Sequence, residues 1–509
     1  MVPMPEILSG FKLDIAPRAL LSRLKSFFTQ KGIRAFVVGG FPRDALLGRP
    51  AADIDLAVAA DVLALGRDLA AALKARPVVL DETNSVLRLV LLEPEDAGWQ
   101  VDLSILHGSL FEDLRRRDFT IDALAWELGS LDLEQGTDSF QAAAIDPLGG
   151  LGDIGKKLVR ATGTEVFRQD GVRLLRAVRL AAELGFSIEA ETEALIRRDR
   201  LLIQQEAGER LREELLRLLK LTGSDATLLY MQELGLLTAI IPELAPSIGL
   251  EQHDEHQWDV LEHSARSVAA SDFLLRQAGW TYTDELIRED VPWDSALEAH
   301  FKKPLSPLST HRELIKMAAI LHDVAKPQTI TISKNGRLRF YGHPEKGAVI
   351  ASGVLGRLRF SGREKRLVET VVRYHLRPVQ MSRGAEMPTR RAVYRFVRDL
   401  GEAAADTLFF SLADHLATRG HNLDLTNWRH HANIVAYVLA ESAREASAPP
   451  VTLVNGDDLQ RELGLKPGPR LGEILAEIRE SQAAGEISSR DEALRYAEKF
   501  IQKSEKGAE

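Results

Sequence analysis

The chain of 509 residues contains no cysteine. Disulfides, thiolate metal sites and cysteine nucleophiles are all excluded. It also lacks any uninterrupted apolar run long enough to span a bilayer. The first residues, Met1-Val2-Pro3-Met4-Pro5, show no basic segment followed by an apolar core, so no signal peptide is expected. A cytoplasmic location with no membrane partner follows as the default. Internal repeats and low-complexity segments are missing too. So is an excess of positive charge: the net charge is −9. That disfavours a nonspecific nucleic-acid coat, yet it leaves room for RNA on one basic face. The arginines are in fact clustered: Arg115-Arg116-Arg117, then Arg173, Arg176 and Arg179, then Arg197-Arg198 and Arg390-Arg391. A hydrophobic content of 45% and a charged content of 27% are ordinary for a globular protein. The length suffices for several domains with sizeable cores.

What is there is organised around Gly39-Gly40-Phe41-Pro42-Arg43-Asp44 and Asp53-Ile54-Asp55. The glycines follow an apolar run, Ala35 to Val38, that reads as a buried strand. They permit a tight turn whose exposed N–H groups suit a phosphate. Arg43 to Leu47 can open a helix whose N-terminus faces that turn. Asp53 and Asp55 lie two apart on a short strand, so both side chains leave the same face. Two carboxylates on one face repel unless a cation lies between them. Beside a phosphate-holding turn, Mg²⁺ fits best. The bland alternative is a carboxylate pair on a solvated strand edge. Asp102, in Gln100-Val101-Asp102-Leu103-Ser104, is the candidate for a third carboxylate, on a strand that can lie beside the first pair. It can equally be a surface aspartate at a strand end. Helical spacing from Pro17 to Lys31 and Leu63 to Lys74, with strand-like runs at 36–38, 54–58, 86–92 and 101–105, predicts a small α/β unit. After Gly149 the pattern turns almost wholly helical, with one β-hairpin at Thr329 to Tyr341 around Asn335-Gly336. Ala446 to Pro450 reads as a linker, and Lys503 to Glu509 as a frayed end.

The ordered set Gly-Gly, Arg-Asp, Leu-Leu-Gly-Arg and Asp-x-Asp resembles the signature of the class II nucleotidyltransferases, which include CCA-adding enzymes and bacterial poly(A) polymerases. Arg116-Arg117-Asp118-Phe119-Thr120 resembles the family segment that binds ribose and triphosphate. Arginines offer planar forks for phosphates, and Asp118 can accept from a ribose hydroxyl. Asp122 stands where the family usually has asparagine. Asp146-Pro147-Leu148-Gly149-Gly150-Leu151-Gly152-Asp153 matches the family's hinge between head and neck. Asp170-Gly171-Val172-Arg173-Leu174-Leu175-Arg176-Ala177-Val178-Arg179 matches the segment that selects the base. Asp170 and Arg173, read as three apart on one helix face, would mimic a pairing edge. The bland alternative is a salt bridge within a helix. Gln169 replaces the usual glutamate. Gly208 to Glu214 resembles a structural neck helix. The match resumes at Val454-Asn455-Gly456-Asp457-Asp458-Leu459. Only Ile105 to Leu114 separates the Asp102 strand from the arginine segment. That gap looks truncated, as in relatives that add only the two C residues.

His322-Asp323 follows the apolar run Met317 to Leu321. With His263, Asp414, His343 and His375 the order resembles the HD phosphohydrolase superfamily. The resemblance implies His263, His322, Asp323 and Asp414 as ligands of a divalent metal whose identity stays open, with His343 and His375 as further ligands or phosphate contacts. A lone histidine on an apolar face is more often a satisfied core residue, but six positions in family order weaken that reading. Gln277 to Ser309 reads as an insertion without an interpretation, and His253, His256, His430 and His431 carry no role.

The expected architecture is an α/β nucleotidyltransferase head with a small mixed sheet (1–148), a helical neck that selects the base (149–222), an HD-type helical domain (223–445) and a helical tail that binds RNA (446–509). The resemblance implies addition of C and/or A to the tRNA 3′ end from CTP and ATP without a nucleic-acid template. Mg²⁺ would sit at Asp53 and Asp55. Asp53, Asp55 and Asp102 would be catalytic. Gly39, Gly40, Arg43, Arg116, Arg117, Asp118, Asp170, Arg173, Arg176 and Arg179 would bind nucleotide. The rivals are a poly(A) polymerase, an HD-type phosphohydrolase whose head merely binds RNA, and a protein that only binds RNA.

Overall fold

The structure, a computed structural model, describes residues 15–506 except 52, 83–84, 97, 134–136, 253–254, 335, 383–385 and 448–451. His253, Asn335 at the expected hairpin centre, most of the expected linker and the last residues of the expected frayed end lie outside the described residues. Contacts divide the chain into two compact units: Met1–Glu206 with Glu233–Ala239, and Ala207–Gln232 with Ile240–Glu509.

The first unit begins with α1 (Ile15–Lys31), β1 (Ala35–Val38), α2 (Gly40–Leu46), β2 (Asp53–Val58) and α3 (Val62–Leu73). It continues with β3 (Ala75–Asp81), β4 (Val86–Leu91), β5 (Gln100–Ile105), α4 (Leu110–Arg115) and β6 (Ala125–Glu127). The strands form one six-stranded sheet in the order β3-β4-β5-β2-β1-β6. Only β2 and β5 run parallel; every other neighbouring pair is antiparallel. The small mixed sheet is thus the one expected. Ile54, Leu56, Leu87, Leu89, Val101 and Leu103 are buried on one face. Gly66 of α3 lies against Leu87 there, where any Cβ would clash with the leucine side chain. The alternate residues Asp53, Asp55, Arg88 and Asp102 leave the other face.

Two strands were not anticipated. β3 carries Pro77 and exposed Val79 and Leu80, the pattern of an edge strand whose outer groups need no ladder. β6 has only three residues. Helix α2 starts at Gly40 rather than Arg43, because Pro42 is tolerated in a first turn.

After the sheet come α5 (Thr137–Ala142), α6 (Gly150–Lys156), α7 (Val166–Gln169) and α8 (Val172–Leu184). Leu158–Val159 and Ser187–Ile188 pair as a short parallel bridge, a second departure from the all-helical expectation. The amphipathic α8 buries Leu174, Leu175, Ala177, Val178, Leu180 and Ala181.

The second unit is a helical bundle built from Val260–Leu274, His311–Leu321, His343–Arg357, Gly362–Tyr374 and Ala404–Arg419, with the hairpin Ile330–Ile332/Leu338–Phe340. Helix Gly208–Lys220, read as neck from the sequence, belongs to this unit. Gly208 lets the Arg357 carbonyl approach where a Cβ would clash. Buried Lys316 donates to the carbonyls of Leu219 and Leu221 at that helix's end. The last three helices, Gly456–Leu463, Pro469–Ala483 and Arg490–Lys506, share a core of Val454, Leu459, Ile474, Ile478, Ile487, Ala493 and Ala497. Among the described residues no helix is long and apolar enough to cross a membrane.

Candidate active site

The turn between β1 and α2 holds Gly39 at φ 80° and ψ −138°, a conformation closed to side chains. That turn brings the backbone against the carboxylate of Asp55: a Cβ on Gly39 would lie 2.7 Å from Asp55 Oδ2 and 2.9 Å from Arg117 Nη1. β2 carries Asp53 at its exposed start and Asp55 two residues on. The parallel register places Asp55 directly beside Asp102 of β5. Burial pushes the Asp55 carboxyl up to about 6; Arg117 opposes this, while Asp102 and Asp53 add repulsion. A part-buried carboxylate among carboxylates, beside a turn that a Cβ would fill, is a donor set that fits a hard divalent cation.

Asp102 already has a cationic partner. Arg88, opposite it across β4 and β5, holds both its oxygens at 2.8 and 2.7 Å. The sequence reading missed Arg88, although alternation along β4 puts it on the carboxylate face.

The arginines divide. Arg117 stands between the Gly39 turn and Asp55, with Nη2 3.8 Å from Asp113. Arg116 is exposed, and its carbonyl accepts from Arg173 Nη2 at 2.9 Å. Arg43, expected at the triphosphate, is 5% exposed and enclosed by carboxylates. It forms a fork with Asp44 at 2.9 and 2.9 Å and donates to Asp122 at 2.5 Å. Its guanidinium ties α2 to the turn after the Arg-Arg-Asp-Phe-Thr segment, which also gives a reason for an acid at position 122. Arg179, also expected at the nucleotide, is buried and paired with Glu183 one turn on. Arg176 Nε lies 3.0 Å from Asp118 Oδ2, and Asp118 accepts from the Phe119 N–H at 3.0 Å.

Asp170 is not on the helix that carries Arg173. It sits in extended conformation between α7 and α8, and its Oδ1 accepts from the Val172 N–H at 3.1 Å. Capping replaces the expected shared helical face. The couple is still juxtaposed, with Arg173 Nε 4.0 Å from Asp170 Oδ2. Arg173 Nη1 donates to the Val166 carbonyl at 3.3 Å and to Gln169 at 3.2 Å. The couple and the carboxylate pair share neighbours: Arg173 bonds the Arg116 carbonyl, and the next residue, Arg117, and Arg176 one turn on from Arg173 both act on Asp55.

The second unit assembles all six expected HD residues. His263 Nε2 lies 3.2 Å from His322 Nε2, 3.0 Å from Asp414 and 3.5 Å from Asp323. His322 Nε2 lies 3.0 Å from Asp323 Oδ2, and His343 Nε2 lies 3.3 Å from Asp323 Oδ1. His322, His343 and His375 each place Nδ1 on the carbonyl three residues earlier, at 2.9, 2.7 and 2.7 Å. Donation there leaves each Nε2 as a lone pair. His343 Nε2 and Asp323 Oδ1 are buried without hydrogen-bond partners. Lone pairs facing a carboxylate in a dry site repel unless a cation lies between, so the set fits divalent metal. Two ligand groups share Asp323: His263–His322–Asp323 and Asp323–His343–His375. Lys326, 2.6 Å from Asp323 Oδ2, was missed; its spacing of three after Asp323 was the available signal.

Comparison with known proteins agrees with this layout. Family models match in chain order: "Poly A polymerase head domain" at 35–160, "Probable RNA and SrmB- binding site of polymerase A" at 185–248, "HD domain" at 260–419 and tRNA nucleotidyltransferase domain 2 at 452–497. The A-adding tRNA nucleotidyltransferase of Deinococcus radiodurans is 31% identical over 92% of this chain and 96% of its own length. The CC-adding tRNA nucleotidyltransferase of Thermus thermophilus is 33% identical over 92% and 94%. The Thermotoga maritima CCA-adding enzyme, solved with tRNA, shares the fold with a TM-score of 0.60 at 20% identity, covering 96% of this chain and 97% of that one.

Proposed function

The chain belongs to the tRNA nucleotidyltransferase family, and we propose that it adds C residues to the 3′ end of tRNA from CTP, choosing the letter with its own side chains. The observation that carries this reading is the Gly39 turn against Asp55 on the carboxylate strand, with Arg117 and Arg176 beside it and Arg173 bonded to the Arg116 carbonyl. Residues 1–148 are read as catalytic head, 149–222 as base-selecting neck, 223–445 as HD domain and 446–509 as RNA-binding tail.

In the reaction the RNA 3′-hydroxyl attacks the α-phosphate of the nucleotide, and pyrophosphate leaves. Asp53 and Asp55 hold divalent ions, with Mg²⁺ the ion their oxygen-only set favours. When bound, such ions activate the hydroxyl and stabilise the leaving oxygen. Asp102, neutralised by Arg88, sets the charge beside Asp55. Gly39 keeps the backbone close enough to cradle phosphate, and Gly40 contributes only its N–H. Arg117, Arg116 and Arg176 face the triphosphate and ribose, and Asp118 accepts from sugar. Asp170 accepts from the exocyclic amino group of the base while Arg173 donates to its ring acceptors. The tail holds tRNA by shape and backbone.

The finer choice of C rests on the connection after β5. Leu106 to Ser109 is pinned at Val58 and Asp113 and by the Ser109–Glu112 capping box, so no long loop intervenes. The HD residues hold a divalent metal for a separate phosphohydrolase activity. The experiment is one gel on tRNA ending before its CCA, with labelled CTP alone, ATP alone or both. Extension by two C residues with CTP, and nothing further when ATP is added, is expected. Asp53→Ala/Asp55→Ala should abolish it, and His322→Ala/Asp323→Ala should leave it intact. Untemplated ATP addition to generic RNA would make the protein a poly(A) polymerase instead.

A further inference from the structure

The segment Gln277 to Ser309 forms a short 3₁₀ turn at Glu285–Asp290 and a helix at Ser295–Lys302. That helix delivers His300 to a buried acid–imidazole cluster away from the six HD residues. His300 Nε2 lies 2.9 Å from Asp406 Oδ2, and His311 Nδ1 lies 2.8 Å from Asp406 Oδ1. The two rings lie tilted at 47° to each other with centroids 4.2 Å apart. His311 and Asp406 are 0% exposed, whereas His300 keeps 23% of its side chain open to solvent. We propose that His300, His311 and Asp406 form a site for one divalent transition-metal ion of the zinc type, which fastens the 277–309 segment to the HD bundle.

Three observations carry this. One ligand atom from each residue lies within 4.8 Å of the other two. A tetrahedral ion with bonds of about 2.0–2.1 Å sets its ligand atoms roughly 3.3 Å apart. The HD cluster spaces its own ligand atoms 3.0 to 3.6 Å apart. The second observation is tautomeric. If His311 Nδ1 carries the hydrogen and donates to Asp406, its Nε2 is a lone pair. That Nε2 is buried, has no hydrogen-bond partner, and lies 3.7 Å from the Glu402 carboxylate. Two acceptors then face each other, and the imidazole one, fully buried, has no water to turn to. With metal on Nδ1 the hydrogen moves to Nε2 and faces Glu402 favourably, the usual outer partner of a ligating imidazole. The third is Glu402 itself. Lys303 and Arg363 hold it at 2.7 and 2.6 Å, and these donations bring its carboxyl down to about 2, so it is a fixed anion. Imidazole and carboxylate ligands without thiolate suit Zn²⁺ or Co²⁺, and the exposed edge of His300 leaves a water position as the fourth.

The test uses the full-length protein carrying His322→Ala/Asp323→Ala, stripped of metal and dialysed against Co²⁺ in excess Mg²⁺. Mg²⁺ occupies the carboxylates of the head. One Co²⁺ per chain with the absorption of a tetrahedral N/O site is expected, and adding His300→Ala should remove it. No retained Co²⁺, or Co²⁺ unchanged by His300→Ala, overturns the proposal in favour of a protonated imidazole clamp. If the double variant does not fold, the same comparison is made between wild type and His300→Ala. A loss of one Co²⁺ equivalent supports the site, and an equal count refutes it.

Discussion

Replacing Gly39 by alanine tests the geometry on which the head's chemistry depends. Gly39 has φ 80° and ψ −138°. Holding a side chain in such a glycine-only region costs about 1–3 kcal/mol. The added Cβ would also meet Asp55 Oδ2 at 2.7 Å and Arg117 Nη1 at 2.9 Å. Carbon contacts settle near 3.5–4.0 Å, so both groups must withdraw by roughly 1 Å. A displacement of about 1 Å in a reacting geometry costs on the order of 100-fold in rate. Gly40→Ala is the control. Gly40 is an ordinary helical residue, and its Cβ would meet only Arg43 Nη2 at 3.3 Å. The assay is incorporation of labelled CMP into tRNA ending before its CCA, read as kcat/KM. Gly39→Ala should lose about 100-fold, or roughly 2.7 kcal/mol of transition-state stabilisation, while Gly40→Ala loses less than about tenfold. The reasoning fails if Gly39→Ala retains near wild-type activity, or if both variants suffer alike.

Arg43→Ala should destabilise the first unit by about 3–5 kcal/mol, because it leaves Asp122 buried and unpaired. Thermal melting of Arg43→Ala against Arg43→Met/Asp122→Leu checks this, the double variant melting higher than the single. The Asp55 carboxyl, raised to about 6 by burial, binds protons more tightly than in the unfolded chain. Its proton therefore competes with metal, and Mg²⁺ affinity measured by titration calorimetry should fall about tenfold per pH unit below 6. Asp55→Asn should flatten that dependence. Arg173→Ala should cost about 1–3 kcal/mol of discrimination between CTP and UTP, read as the ratio of their kcat/KM values. Chelation or His322→Ala/Asp323→Ala should silence phosphatase activity on a generic phosphodiester while nucleotide addition persists once Mg²⁺ is restored.

The strands that carry the carboxylates were legible because their apolar residues form runs or alternate. Asp53 and Asp55 share a face by period, and the register that seats Asp102 beside Asp55 follows once β5 lies parallel to β2. What escaped were pairings across long sequence distance. Arg43 and Asp122 are 79 positions apart, and no local pattern announces that one will neutralise the other. The motif suggested an open phosphate contact; burial turned it into a strut. Arg88 was missed for a milder reason. A strand arginine usually snorkels to water, and only the partner strand reveals the carboxylate it grips. β3 was hidden by Pro77, which argues against a central strand but not against an edge. His300 and His311 stood outside every motif. Their meeting with Asp406 depends on how an insertion folds back onto the bundle.

If Arg173 reads the base, as we propose, the choice of letter follows from counting donors. A guanidinium has five N–H groups. In Arg173 three of them are committed, to the carbonyls of Val166 and Arg116 and to Gln169. Among the described residues that leaves two for a base, and three anchors fix where they point. Cytosine presents two adjacent acceptors, N3 and O2, beside the amino group that Asp170 would receive; adenine presents N1 alone on that edge. A pinned fork therefore satisfies cytosine fully and leaves one donor unmatched against adenine. Accepting adenine would require the fork to turn. The connection from Leu106 to Ser109, held at both ends, offers no long segment to turn it. Gln169 is the adjustable member of this arrangement, since its side chain can release Arg173 where the backbone carbonyls cannot. Gln169→Ala should loosen the fork and raise AMP incorporation relative to CMP. An unchanged ratio, with activity intact, would show that the anchors do not set the letter.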